Sequence, residues 1–195
     1  MQVCMHFGQV ANFKTKSTIE ISKFPYAINS KLPNSIVIKS AKEVEERFHS
    51  RYNCIGKTYR YIINNNEFPS ALNRYREFHM PQALDFEAMQ EAIKYFEGTH
   101  DFAGFKSSGG VPKKTTVRTI TKAIIKKAPE NRIIIELSGD GFLYNMVRII
   151  CGTLVDVGLH KIEPSSIPSI IDSKDRTKAG KTLPPHGLYL VKVKY

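Results

Sequence analysis

The 195-residue chain has no tryptophan, only three cysteines and no apolar run near the ~20 residues that span a bilayer. No charged-then-apolar leader opens it, so neither secretion nor a membrane partner is expected. Cys4, Cys54 and Cys151 are odd in number and far apart, which argues against a disulfide framework and fits a reducing cytoplasm. Acidic residues are also scarce: 18 Asp and Glu stand against 29 Lys and Arg, a formal net charge of +11. Such an excess says nothing about fold, but it selects polyanionic partners. Nucleic acid comes ahead of an anionic membrane, because no basic amphipathic helix is present.

Several chemistries lack their motifs. Gly56-Lys57-Thr58 and Gly180-Lys181-Thr182 end like phosphate loops, but Arg51 and Asp175 occupy the positions of the upstream glycines that would form the cradle. Gly139-Asp140-Gly141 has Tyr144 where a dinucleotide fingerprint needs its third glycine. The six histidines form no HxH or HExxH pair and no two cysteines are close, so no metal site is expected. There is no GxSxG elbow for a serine hydrolase.

What the chain does have is alternating strand and helix patterns without a regular βα rhythm, which predicts an α+β fold. Strands are expected at Gly8–Phe13, Ile36–Lys39, within Phe48–Ile63, at Arg118–Ile125, Arg132–Leu137 and Gly187–Tyr195. In Lys57–Ile63, period two places Tyr59, Tyr61 and Ile63 on one face and Arg60 on the other. Helices are expected at Phe24–Ser30, after an N-cap at Asp85, at Phe142–Leu159 and at Ser165–Ile171. A Ser/Gly/Pro/Lys loop spans Lys106–Thr116, and a seam is expected near Arg76–Asp85, dividing the chain into 1–80 and 81–195.

Several compact segments are similar to one family. They are Gly8-Gln9-Val10-Ala11-Asn12-Phe13, Arg47-Phe48-His49-Ser50-Arg51-Tyr52, Lys57-Thr58-Tyr59-Arg60-Tyr61, and His100-Asp101-Phe102 with Phe105. They continue with Val117-Arg118-Thr119-Ile120, Phe142-Leu143-Tyr144-Asn145-Met146-Val147-Arg148 with Gly152, Lys174-Asp175-Arg176, and Pro184-Pro185-His186-Gly187-Leu188-Tyr189-Leu190. In this order and spacing they resemble the bacterial tRNA pseudouridine synthase A family over essentially the whole chain. The resemblance implies the pseudouridine synthase fold: a mixed, mostly antiparallel sheet with flanking helices, in two ferredoxin-like halves, here expected without the first strand and helix. It implies an isomerase that turns uridine into pseudouridine in the anticodon stem-loop of tRNA, cleaving the N-glycosidic bond and rejoining the base through carbon, with no cofactor or metal. It also implies a homodimer bound to tRNA.

The family's indispensable aspartate lies in a Gly-Arg-Thr-Asp segment ahead of the Gly-Gln-Val strand. Aligned without a gap it falls on Met1; with His6 matched to the family histidine, it falls before residue 1. The expectation is therefore an N-terminally truncated synthase, inactive by itself, with a non-catalytic tRNA-binding remnant as the alternative. Among the residues present, Tyr59 matches the tyrosine that stacks on the target base, and a flipped base does need an aromatic floor. Arg148 matches the ion-pair partner of the aspartate. Arg51 resembles an arginine lining the RNA cleft, and Lys113, Lys114 and Arg118 flank a loop suited to tracking phosphates.

Overall fold

In the computed structural model, residues 5–109 and 114–195 are described. They fall into two compact units, residues 10–53 and residues 5–9 with the described part of 54–195.

The larger unit is organised by one seven-stranded sheet. Its strands are β1 (Met5–His6), β2 (Gly56–Asn64), β3 (Phe78–His79), β4 (Gly98–Asp101), β5 (Val117–Ala128), β6 (Arg132–Gly139) and β7 (Leu188–Lys194). The order is β1-β7-β2-β6-β5-β4, with β3 beside β2. The long pairings are all antiparallel; only the two-residue β1 and β3 pair in parallel. The sheet is thus mixed and mostly antiparallel, as the fold class required. Both expected halves, 1–80 and 81–195, supply strands to it, since β2 pairs with β6 and β7.

Period two decides what the sheet buries. Tyr61 and Ile63 of β2, Ile133, Ile135 and Leu137 of β6, and Ala123 and Ile125 of β5 form one apolar face. Fully burying each large side chain of this kind contributes roughly 1.5–3 kcal/mol. On the other face Arg60 meets Glu136, with Nε donating to the carboxylate at 2.7 Å.

Helices α2 (Phe86–Ala92), α3 (Met146–Gly158) and α4 (Ile167–Ser173) belong to the same core. Asp85 caps α2 as expected, its carboxylate accepting from the Ala88 amide at 2.9 Å. Every residue of α3 except Asp156 is buried, as a helix enclosed on all sides must be. It is too short to cross a membrane, and no helix among the described residues is long and apolar enough to do so.

Strand β7 carries one departure from simple alternation. Thr58 pairs with Lys192 while Tyr59 pairs with Leu190, so Val191 bulges out of the ladder. The bulge puts Leu188 and Leu190 opposite Tyr61 and Tyr59, and carries Tyr189 to the Arg60 side.

The smaller unit holds one helix, α1 (Phe24–Asn29), entered through a 3-10 turn at Ile21–Lys23, as expected for Phe24–Ser30. Two expected strands do not form there. At Ile36–Lys39, the backbone of Ile38 is bonded by the Asn29 side chain, which donates to its carbonyl at 2.9 Å and accepts from its amide at 2.7 Å. At Gly8–Phe13, Asn12 does the equivalent, donating to the Phe48 carbonyl and accepting from the Ser50 amide at 2.9 Å. An asparagine amide satisfies one donor and one acceptor as a strand neighbour would, and the chain stays extended without a ladder.

Candidate functional site

The site grows from the end of β2 and the segment that leads into α3. Tyr59 stands on the apolar face, half-buried, with Phe142 edge-on to its ring at 5.3 Å and 86°. Leu137 and Leu190 are its neighbours across the two ladders. Its ring is therefore held by strand register on both sides and by an aromatic contact.

The expected helix at Phe142–Leu159 begins four residues late. Asn145 has φ 62° and ψ 5°, a left-handed conformation that a right-handed helix cannot include, so Phe142–Asn145 is a loop and α3 starts at Met146. Arg148 lies on the first turn of α3 and is 7% exposed. Its Nε donates to the Leu183 carbonyl at 2.6 Å and its Nη1 to Asn145 Oδ1 at 2.8 Å. A guanidinium cannot shed its proton at any accessible pH, so this place in the core carries a fixed positive charge.

The segment Leu183–Gly187 ties the arginine to β2. Leu183 accepts from Arg148, and the next carbonyl, Pro184, accepts the Tyr61 hydroxyl at 2.7 Å. Gly187 passes so close that a Cβ would sit 2.8 Å from the Tyr61 ring, which requires glycine. Burial drives the Tyr61 phenol far above its usual range, so it stays a donor. His186 is held below its ordinary value first by burial and then by the charge of Arg148, and is neutral at physiological pH. It carried no role in the sequence reading.

Of the other expected residues, Arg118 binds its own loop, Nη1 donating to the carbonyls of Thr115 at 3.0 Å and of Val117. Lys114 is exposed beside it, and Lys113 lies outside the described residues, as does Met1. Arg51 belongs to the smaller unit, where its guanidinium stacks over the Tyr52 ring at 5.9 Å and Tyr52 itself is 75% exposed. So Tyr59 and Arg148 fall in one cluster, Arg118 and Lys114 share a loop, and Arg51 lies in the other compact unit.

Four aspartates have fold duties. Asp85 caps α2, Asp101 accepts from Thr116 and faces Lys174 at 3.0 Å, Asp140 accepts from the Thr119 amide, and Asp175 accepts from Thr177. Sequence reasoning missed Asn145, Ser107 and Phe142 as parts of the cluster. Asn145 alone carried a signal, since asparagine is among the few residues that enter the left-handed region cheaply.

Comparison with known proteins gives the family. A family model described as tRNA pseudouridine synthase matches residues 92–195, which takes in Arg118, Asn145, Arg148 and the Leu183–Gly187 segment. The tRNA pseudouridine synthase A of Acetivibrio thermocellus is 55% identical over 189 residues, 96% of this chain and 76% of that protein. The enzyme of that name from Ruminiclostridium cellulolyticum is 52% identical over 189 residues, and tRNA pseudouridine synthase A 2 of Clostridium perfringens is 54% identical over 186. At that identity and coverage, the chain belongs to the tRNA pseudouridine synthase family.

Proposed function

We propose that the chain belongs to an isomerase that converts uridine to pseudouridine in the anticodon stem-loop of tRNA, as a homodimer in the cytoplasm, and that turnover needs the aspartate that the family resemblance places at or before residue 1. The observation that carries this reading is the convergence of one short segment on β2. Phe142 packs on Tyr59, and six residues later Arg148 is bound through Leu183–Pro184 to the strand that carries Tyr59.

In this reading Tyr59 is the floor on which the extruded uracil stacks, a contact worth about 1–3 kcal/mol per base. Arg148 supplies the fixed charge that would hold ionised, beside the sugar, the aspartate that the resemblance places at or before residue 1. Its buried place strengthens that effect, since charges act more strongly where water is scarce. Arg51, Lys114, Arg118 and Lys113 meet the phosphate backbone, giving position and not sequence. The uracil leaves its sugar and returns to it, so no external group donor enters the balance. The +11 charge supports tRNA as the partner, and the free Cys54 and Cys151 support the reducing compartment.

A second reading, tRNA binding without turnover, is favoured by one observation: Asp85, Asp101, Asp140 and Asp175 are each engaged in holding the fold. Tritium release from tRNA labelled at uridine C5 separates the two. Release from the chain extended upstream through the Gly-Arg-Thr-Asp segment, suppressed there by Tyr59→Ala and by Arg148→Met, is the outcome expected of the isomerase. Salt-dependent binding without release is the outcome of the second reading, and a chain that binds no tRNA sinks both.

A further inference from the structure

Asn145 stands at the N-cap of α3 and does not behave as a cap. Such a residue ordinarily adopts an extended backbone and turns its side-chain oxygen back to an amide of the first turn, which is worth about 1 kcal/mol. Here the backbone is left-handed and the side chain makes no cap bond. Both ends of the amide are used elsewhere. Oδ1 accepts from Arg148 Nη1 at 2.8 Å, and Nδ2 donates to Ser107 Oγ at 3.1 Å. The orientation of the amide is fixed by chemistry, because a guanidinium only donates and must face the oxygen.

We propose that Asn145 is a positioning residue for Arg148, and that through Ser107 it fastens the segment Lys106–Gly109 to the arginine. The proposal rests on the reading of Tyr59 and Arg148 given above.

Two of the bonds of the guanidinium fix its orientation. Nε to the Leu183 carbonyl fixes one edge, and Nη1 to Asn145 fixes the rotation about it. The loop is fastened at two adjacent points: the Ser107 amide donates to the Tyr144 carbonyl at 3.2 Å, and the Ser107 hydroxyl receives the Asn145 amide. Beyond Ser107, Gly109 has φ +89°, and a Cβ there would lie 3.9 Å from the half-exposed Tyr144 ring. The residue at 145 must thus accept a left-handed backbone, offer an acceptor to a cation and offer a donor to a hydroxyl. Glycine meets the first need alone. Aspartate meets the first two, but its charge would neutralise the arginine. Asparagine meets all three.

Three variants of the full chain test this. Asn145→Gly keeps the left-handed backbone and removes both bonds, Asn145→Asp keeps the acceptor and adds a negative charge, and Ser107→Ala releases the loop only. The measurements are the urea unfolding midpoint, affinity for unmodified tRNA, and the His186 titration followed by NMR. His186 reports on Arg148, whose charge helps to hold it low. The expected result is that Asn145→Gly loses tRNA affinity about tenfold, the scale of a bond to a charged group, while still unfolding in one cooperative transition at a lowered midpoint. Asn145→Asp raises the His186 pKa toward its ordinary value, and Ser107→Ala weakens binding less than either while leaving His186 alone. An unmoved His186 in Asn145→Asp, or unchanged affinity in Asn145→Gly, overturns the proposal. If the unsubstituted chain binds no tRNA, the functional reading fails, and a His186 pKa unmoved in Asn145→Gly, which adds no charge, still overturns the holding of Arg148 by Asn145.

Discussion

Residues 10–53 and the sheet unit are both covered by motifs of the same family, yet they are built on different physics. The sheet unit encloses a cluster in which Tyr61, Phe96, Phe102, Phe105 and Ile149 are wholly buried. Not one residue of 10–53 is buried; Phe13 is 61% exposed and Tyr26 80%. Its long-range bonds come from asparagine side chains and from a solvated Lys14–Glu46 pair. A motif therefore does not announce a core. In one unit the pattern of residues is fixed by packing, in the other by local hydrogen bonding around an exposed backbone, where a basic segment can meet a polyanion.

The sharpest way to break that comparison is to remove an aromatic ring from each unit. Phe96 is fully buried and meets Phe105 edge-on at 5.4 Å. Phe96→Ala should cost about 3–5 kcal/mol, from lost transfer energy and the cavity left behind. Phe13 packs at 6.0 Å on Phe24, with most of its surface in water. Phe13→Ala should change stability by less than about 0.5 kcal/mol. Urea unfolding of both variants checks the contrast, and equal losses would show that residues 10–53 are packed far better than their exposure indicates.

The same contrast explains what could be read in advance. Where burial decides, period and caps were sufficient: the Tyr59/Tyr61/Ile63 face and the Asp85 cap were both legible. Where side chains replace a ladder, the pattern misled, since the apolar β-branched run at Ile36–Lys39 resembles a strand whether its partner is a backbone or an asparagine. The start of α3 was missed for a related reason. Phe142 and Leu143 continue the apolar stripe of the helix, but the left-handed Asn145 ends the helix before it can include them. The Val191 bulge had no sequence signal, because it is set by the register of β7 against β2.

The two units should also differ in how they hold RNA. Tyr59→Ala removes the stacking floor and should weaken binding of the target stem-loop by about 1–3 kcal/mol, with little change in salt dependence. Arg51 is exposed and stacked on Tyr52, so Arg51→Ala should weaken all tRNAs by a similar smaller factor and lower the salt slope by about one. Titrations at several salt concentrations distinguish a base contact from a phosphate contact. A flat slope change for Arg51→Ala would remove the basic segment from the interface.

The smallest expected difference is in acid. Asp101 of β4 has its carboxyl held below the usual range first by the Thr116 hydroxyl and then by Lys174. Because the folded value is depressed, its contribution is present above the unfolded value, about 3.9. It is lost as pH falls through the folded value. Asp101→Asn should therefore be less stable than the parent at pH 6, and the difference should shrink as the pH is brought down toward 3. Glu46, 86% exposed beside Lys14, sits in a pair whose attraction solvent screens, so Glu46→Gln should leave stability unchanged. Thermal unfolding midpoints carry the test, across that range for Asp101→Asn and at pH 6 for Glu46→Gln. A loss in Glu46→Gln as large as that in Asp101→Asn would mean that the surface pairs of residues 10–53 do hold their unit together, and the distinction between a packed unit and a hydrogen-bonded one would lose its basis.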